Sequence, residues 1–286
     1  MFSLTKILLP IDFSERSADA AEAAAAVAEH FDAEITLLHV LAPRFDPLPT
    51  ASQRAVVHGF EREEAEEKMK RFRCSELRHR EVRQVLREGD PAGSIVDYAE
   101  SEHIDLIMMP THGYGPFRRL LLGSVTAKVL HDVKCPVWTA VHSQEKLSHI
   151  PAKPRRIACA VDLGAHIGDV LRWASQLSWE FGAPLSVIHV APLDPRTEGY
   201  YASPEWRSEV MGGAKAELVK LLQADGINGE IHIEVGGIPE AVVERTRSAQ
   251  ADLLVIGRSG HSGVTGRLPT NAYAIIREAP CPVLGV

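Results

Sequence analysis

DLIMMPTHGYGPFRRLLLGSV, residues 105–125, is the stretch on which the reading of this chain turns. Its first apolar residues, Leu106 to Met109, read as a buried strand. Gly113 and Gly115 then mark a loop, and Gly123-Ser124 opens a helix. A strand feeding a glycine-bearing loop and a helix start turns backbone N–H groups toward an anion, and phosphate is the expected guest.

Toward the N-terminus, KILLPID (residues 6–12) is an apolar run closed by Asp12, the pattern of a buried parallel strand. Ser14 is placed to cap an alanine-rich helix of high intrinsic propensity. EITLLHV (34–40) is a second strand, and residues 51 to about 72 carry the charges of a solvated helix. EVRQVLRE (81–88) is a third strand, Ala92 to Glu102 a helix, and CPVWTAV (135–141) a fifth strand after the quoted stretch. Strands alternating with helices through short connections imply parallel pairing by right-handed crossovers.

Residues 142–154 read as a linker, after which the pattern restarts at RIACAVD. An offset of 150 lays Asp162 on Asp12, His189 on His39 and Val190 on Val40. An offset of 147 lays DLLVIGRSG (252–260) on DLIMMPTHG, and one of 146 lays Cys281-Pro-Val on Cys135-Pro-Val. The chain is therefore a duplication. Its expected class is α/β: two tandem doubly wound domains, residues 1–145 and 154–286, each a five-stranded parallel sheet flanked by helices. The helix at 204–224, with Trp206 and Gly212-Gly213, is expected to be less regular than its partner in the first copy.

Bulk properties narrow the function. The formal charge of −7 over 286 residues, with a pI near 6.0, leaves no basic stripe for nucleic acid. No apolar run approaches the ~20 residues that span a bilayer, and the opening MFSLTKILLPID lacks the features of a secretory signal. Four cysteines form no CxxC pair, and the thirteen histidines show no zinc-ligand spacing. A soluble cytoplasmic protein without a membrane partner is expected.

The residues resemble a tandem universal stress protein, over both copies and nearly the whole chain. Nucleotide-binding members of that family carry G-x2-G-x9-G-S/T after the fourth strand and an aspartate at the end of the first. Copy one has Pro110, two residues, Gly113, nine residues and Gly123-Ser124, so the first glycine alone is replaced. The resemblance implies an adenine-nucleotide α-hydrolase-like fold holding ATP. A Mg2+ ion carried in on its phosphates needs few protein ligands and is compatible with that reading. By the same resemblance Asp12, with Pro10 beside it, takes the ribose, Val40 offers backbone groups to adenine, and Met109 lies under the base. Gly113, Gly123, Ser124 and Val125 cradle the phosphates. Apart from the resemblance, Arg118 and Arg119 are candidates for the phosphate chain, set against the plainer reading of surface arginines; adjacent residues point apart, so at most one of them is expected to reach it. Pro110 has no N–H, so an amide contact there is lost.

Copy two keeps Asp162, Val190, Ile256, Gly257 and Gly260 but has Thr270-Asn271 where Gly-Ser is expected, so it is ranked the weaker site. The resemblance further implies an intrachain pseudo-dimer or a homodimer through strand-five edges, and an unidentified protein partner. Two plainer readings stand beside these. Asp12 and Asp162 could simply close turns, and His39 and His189 read better as hydrogen-bonded core histidines. No GxxxxGK[ST] loop is present, so binding is favoured over turnover.

Overall fold

A computed structural model describes residues 3–43, 51–72, 77, 81–112, 122–141, 153–164, 166–192, 203–258 and 270–286. The chain divides into two compact units, Met1–Ala140 and Val141–Val286.

In the first unit, β1 (Lys6–Pro10), β2 (Glu34–Leu41), β3 (Val82–Glu88), β4 (Leu106–Met109) and β5 (Val137–Thr139) form a sheet in the order β3-β2-β1-β4-β5. Every described pairing in it is parallel, with Ile7 opposite both Ile35 and Leu106. The central strands β1 and β4 are buried along nearly their whole length, as continuous apolar runs require when both faces are covered. The edge strand β3, VRQVLRE, is partly exposed and charged, which discourages further strand pairing. The fifth strand is shorter than its sequence suggests. Pro136 has no N–H for the ladder, yet its carbonyl still accepts from the Ile107 amide at 3.0 Å.

Helix α1 (Glu15–Phe31) buries Ala20, Ala21, Ala24, Ala25 and Ala28 on one face, and these small side chains let it lie close to the sheet. Its N-cap is Ser14, whose hydroxyl accepts from the Ser17 amide, and Asp32 in the left-handed region (φ 53°) ends it. Helix α2 (Ala51–Arg71) contributes Ala65 and Met69 to the core. Beyond residue 60 its outer face carries i,i+3 and i,i+4 ion pairs such as Arg62–Glu66 and Lys68–Glu64. Helices α3 (Pro91–Ser101) and α4 (Ser124–Asp132) complete the unit. Lys128 of α4 meets Asp90, the N-cap of α3, at 3.0 Å.

The second unit repeats the plan with β6 (Ile157–Val161), α5 (Ile167–Phe181), β7 (Leu185–Pro192), α6 (Pro204–Ala224), β8 (Glu230–Gly236), α7 (Ile238–Ser248), β9 (Leu253–Ile256), α8 (Thr270–Glu278) and β10 (Val283–Gly285). Its strand order is β8-β7-β6-β9-β10, again parallel. One expectation fails here: α6 is a single unbroken helix of 21 residues in spite of Gly212-Gly213. Buried Ala214, Leu218 and Leu222 fasten one stripe to the sheet, and that packing outweighs the glycines' low propensity. Among the described residues no helix is long and apolar enough to cross a membrane.

The duplicated aspartate before β4 and β9 has a structural task. Asp105 Oδ2 accepts from Thr5 N–H (2.7 Å), Thr5 Oγ1 (2.8 Å) and Lys6 N–H (2.9 Å), pinning the entry of β1 to β4. Asp252 does the same for β6, accepting from the amides of Arg155 and Arg156. Elsewhere the copies solve one packing problem with different chemistry. Arg87 of β3 lies 4.8 Å from the Tyr98 ring centre, whereas the corresponding Glu234 and Arg245 form an ion pair at 2.5 Å.

Asp105→Ala and Asp252→Ala are each expected to remove about 1–3 kcal/mol of stability, the scale of hydrogen bonds to a charged acceptor. Urea unfolding followed by circular dichroism checks this, and an unchanged midpoint in both variants would count against the pinning role.

Candidate functional site

The order β3-β2-β1-β4-β5 reverses between β1 and β4, and the carboxyl ends of those two strands border the crevice where open α/β sheets bind ligands. β1 ends at Pro10, paired with Leu38 of β2. Just past it, Asp12 Oδ1 accepts from the Ser14 amide (3.0 Å), the Ser14 hydroxyl (2.5 Å) and the Ser17 hydroxyl (2.6 Å). Thus the plain turn-closing role for Asp12 is realised, but on one oxygen. Oδ2 takes no hydrogen bond among the described residues. Phe13 is held at φ 64°, a conformation that bulky side chains rarely adopt, and its ring stacks 4.3 Å from that of His39.

His39 and His189 do the same work in the two copies. Each bonds through Nδ1 to the carbonyl at the end of the neighbouring strand, Ile11 at 2.8 Å and Val161 at 3.0 Å. Both are hydrogen-bonded inside the fold, His189 buried and His39 half-buried, close to what the sequence reading preferred. Burial lowers the pKa of His39, with its bond to the Ile11 carbonyl opposing the shift. Val40 follows, half-buried and opposite Arg87 in the β2–β3 register.

Met109 and Pro110 close β4 and are buried. The Pro110 carbonyl accepts from Thr126 Oγ1 at 3.0 Å, tying the first turn of α4 to the end of β4. Gly123 has a packing reason that the sequence did not reveal. A Cβ there would lie 3.2 Å from both His112 Cα and the Thr111 carbonyl oxygen. Its own amide donates to Thr111 O at 2.8 Å, so this N–H is committed inside the protein. The first helical bond is Ala127 N–H to Gly123 O, and Gly123 provides no side-chain cap. The Ser124, Val125 and Thr126 amides, in the first turn of α4, have no carbonyl partner within the helix. Gly113, Arg118, Arg119 and Gly260 lie outside the described residues.

In the second unit, Asp162, Val190, Ile256 and Gly257 line one cleft of about 160 Å³, so four positions chosen from the repeat come together. Asn271, at the start of α8, lines it too. Sequence reasoning missed Ile238, Val242 and His166, which also face the cleft. Ile238 and Val242 stand four apart at the start of the helix after β8, an apolar spacing that could have drawn attention to that face. Asp162 differs sharply from Asp12. Gly164 and Ile167 stand where Ser14 and Ser17 stand in copy one, and the Asp162 carboxylate takes no hydrogen bond among the described residues.

Buried Cys159 and Cys281 have their thiol pKa values pushed up by burial, that of Cys281 to about 12, so neither is a thiolate near neutral pH. Among the described residues no group of three or more His, Cys, Asp or Glu side chains is placed to share a metal ion.

Comparison with known proteins is consistent across the chain. The model of the universal stress protein family matches twice, over residues 3–140 and 153–286. A universal stress protein of Mycolicibacterium smegmatis is 26% identical over 98% of this chain and 96% of its own length. The crystal structure of a universal stress protein from Archaeoglobus fulgidus DSM 4304 has a TM-score of 0.69 and 24% identity, covering 99% of this chain and 96% of that one. Another, from Archaeoglobus fulgidus in complex with dAMP, is 27% identical over 46% of this chain and 95% of its own, with a TM-score of 0.35.

Two outcomes follow from the site's geometry. Gly123→Ala is expected to destabilise by about 1–3 kcal/mol because the intruding methyl meets backbone. Gly257→Ala is expected to do less harm, since among the described residues its Cβ would meet the Val170 Cγ2 methyl alone, at 3.3 Å. Thermal unfolding of the two variants provides the comparison. For His39, the unfolded chain binds the proton more readily than the folded one. The stability that depends on neutral His39 is therefore fully present above its ordinary pKa of 6.5, and is lost as the pH falls through that value toward the lower folded pKa. His39→Gln should flatten the pH dependence of stability in that window, measured by urea titrations between pH 5 and about 8.

Proposed function

The chain belongs to the universal stress protein family, and from that premise we propose that it binds an adenine nucleotide, ATP, chiefly in its first unit. There it acts as a nucleotide-responsive sensor or adaptor in the cytoplasm. The observation that carries the reading is the pairing of chemistry at the β1/β4 crevice. Asp12 keeps Oδ2 for a sugar hydroxyl while Oδ1 is fixed by two serines, and the uncapped start of α4 supplies amides for phosphate. Because Ser14 and Ser17 hold the carboxylate in one orientation, little ordering remains to be done when the sugar arrives. Val40 would meet the base, Met109 would lie under it, and Gly113 and Arg118 would join Ser124 and Val125 around the phosphates. Gly123 acts differently from the family expectation: with its amide committed to Thr111, it serves by letting α4 approach β4.

A magnesium ion would arrive on the phosphates, with water filling most of its remaining positions, so that it asks few ligands of the protein. Binding without rapid turnover is the favoured chemistry, since the sequence has no lysine-bearing phosphate loop. A homodimer and a protein partner complete the reading, and light scattering tests the dimer.

The competing reading, an interaction protein without nucleotide, draws on Pro110, which removes one amide donor at the loop entrance. Titration calorimetry of the full chain with MgATP separates the two. Saturable heat weakened about tenfold or more in Asp12→Ala is expected, the loss of a hydrogen bond to a charged acceptor. No heat at millimolar ATP would overturn the nucleotide reading.

A further inference from the structure

The turn from α6 into β8 carries two glycine pairs in close succession, Asp225-Gly226 and Asn228-Gly229. Asn228 is one of two asparagines in the chain, the other being Asn271. The two pairs are held differently. The amides of Asp225, Gly226 and Ile227 donate to the carbonyls of Leu221 (3.2 Å), Gln223 (3.3 Å) and Leu222 (2.8 Å), and Gly226 lies in the left-handed region at φ 64°. Beyond Ile227 the restraint stops. Asn228 is exposed, and neither its carboxamide nor the Gly229 amide makes a hydrogen bond among the described residues. Packing nevertheless requires glycine at 229, because a Cβ there would lie 3.1 Å from Val187 Cγ2 and 3.4 Å from the Leu185 carbonyl oxygen.

A glycine amide has no neighbouring Cβ to keep it from the preceding side chain, and attack within one chain needs no encounter. We propose that Asn228 is a site of spontaneous deamidation, a slow chemical clock at the entrance to β8. The Gly229 nitrogen loses its proton to solvent base and bonds to Asn228 Cγ. The Cγ–Nδ2 bond breaks, Nδ2 takes up a proton and leaves as ammonia, and a cyclic succinimide remains. Water then opens the ring. Cleavage between nitrogen and Cγ leaves aspartate, whereas cleavage between nitrogen and the main-chain carbonyl carbon leaves isoaspartate, with Cβ and Cγ now in the backbone. Either product sets a new carboxylate next to Glu230. Isoaspartate also inserts a methylene into the main chain just before the Ser186–Glu230 pair, where the β7–β8 register begins. Because β8 is an edge strand held by β7 from one side, the second unit loses stability as Asn228 converts.

Peptide mapping by mass spectrometry tests this on the full chain, aged in mildly alkaline buffer both folded and unfolded in guanidinium. Asn228 is expected to be lost at similar rates in the two samples, giving aspartate and isoaspartate, since the native turn leaves it unshielded. Asn271, in the first turn of α8, and Asp225, whose following amide is bonded to Gln223, are expected to react more slowly folded than unfolded. Urea unfolding supplies the second readout. Aged wild type is expected to unfold at a lower midpoint than fresh protein, while aged Asn228→Ser, which lacks the carboxamide, matches its own fresh sample. The assignment is overturned if folding protects Asn228 as it protects Asn271 and Asp225, or if loss of Asn228 gives no isoaspartate. An aged wild type with the midpoint of fresh protein, once Asn228 has converted, would overturn the weakening of β8.

Discussion

Everything at the carboxyl edge of each sheet depends on β1 lying beside β4, and β6 beside β9. That adjacency is where strand order reverses, so it opens the crevice between connections that leave in opposite directions. The register is held from the far end. Asp105 and Asp252 gather the first amides of β1 and β6, and with the entry fixed, the alternation of the buried strands determines which residues reach the other edge. A side chain about 20 Å away along the strand, at ~3.3 Å per residue, thus controls where Asp12 and Asp162 emerge.

Beyond that shared frame the copies have separated in their polar chemistry. The cation–π contact of Arg87 with Tyr98 and the ion pair of Glu234 with Arg245 occupy the same two positions, one on the edge strand and one on the helix covering it. Either combination satisfies a half-buried guanidinium, so the fold tolerates both. At the β1 and β6 ends the divergence alters what a ligand would meet. Two serines fix one oxygen of Asp12, while glycine and isoleucine at those places offer no such hydroxyl to Asp162, which lines its cleft.

Glycine at 123 shows how one residue can satisfy packing and chemistry together. Its bare Cα lets the α4 start abut the Thr111–His112 backbone, and the amide that a motif would assign to phosphate is spent on that contact. The donors passed outward are those of the next residues, whose carbonyl partners one turn earlier do not exist.

Periodicity and repetition alone determined the fold class, the duplication and most strands, because continuous apolar runs bounded by turns can be satisfied in few ways and the same pattern occurs twice. Repetition together with the family resemblance singled out Asp162, Val190, Ile256 and Gly257, and these four line one cleft. Local pattern misjudged α6, where tertiary burial of Ala214, Leu218 and Leu222 overrides a glycine pair. Only the tertiary structure decided which oxygen of Asp12 the two serines take, which amide of the α4 start is committed, and that Ile238, Val242 and His166 join the second cleft. Those are questions of which groups from distant parts of the chain come within bonding distance, and a linear pattern carries no information about hydrogen-bond direction or about the partner a given atom has already taken.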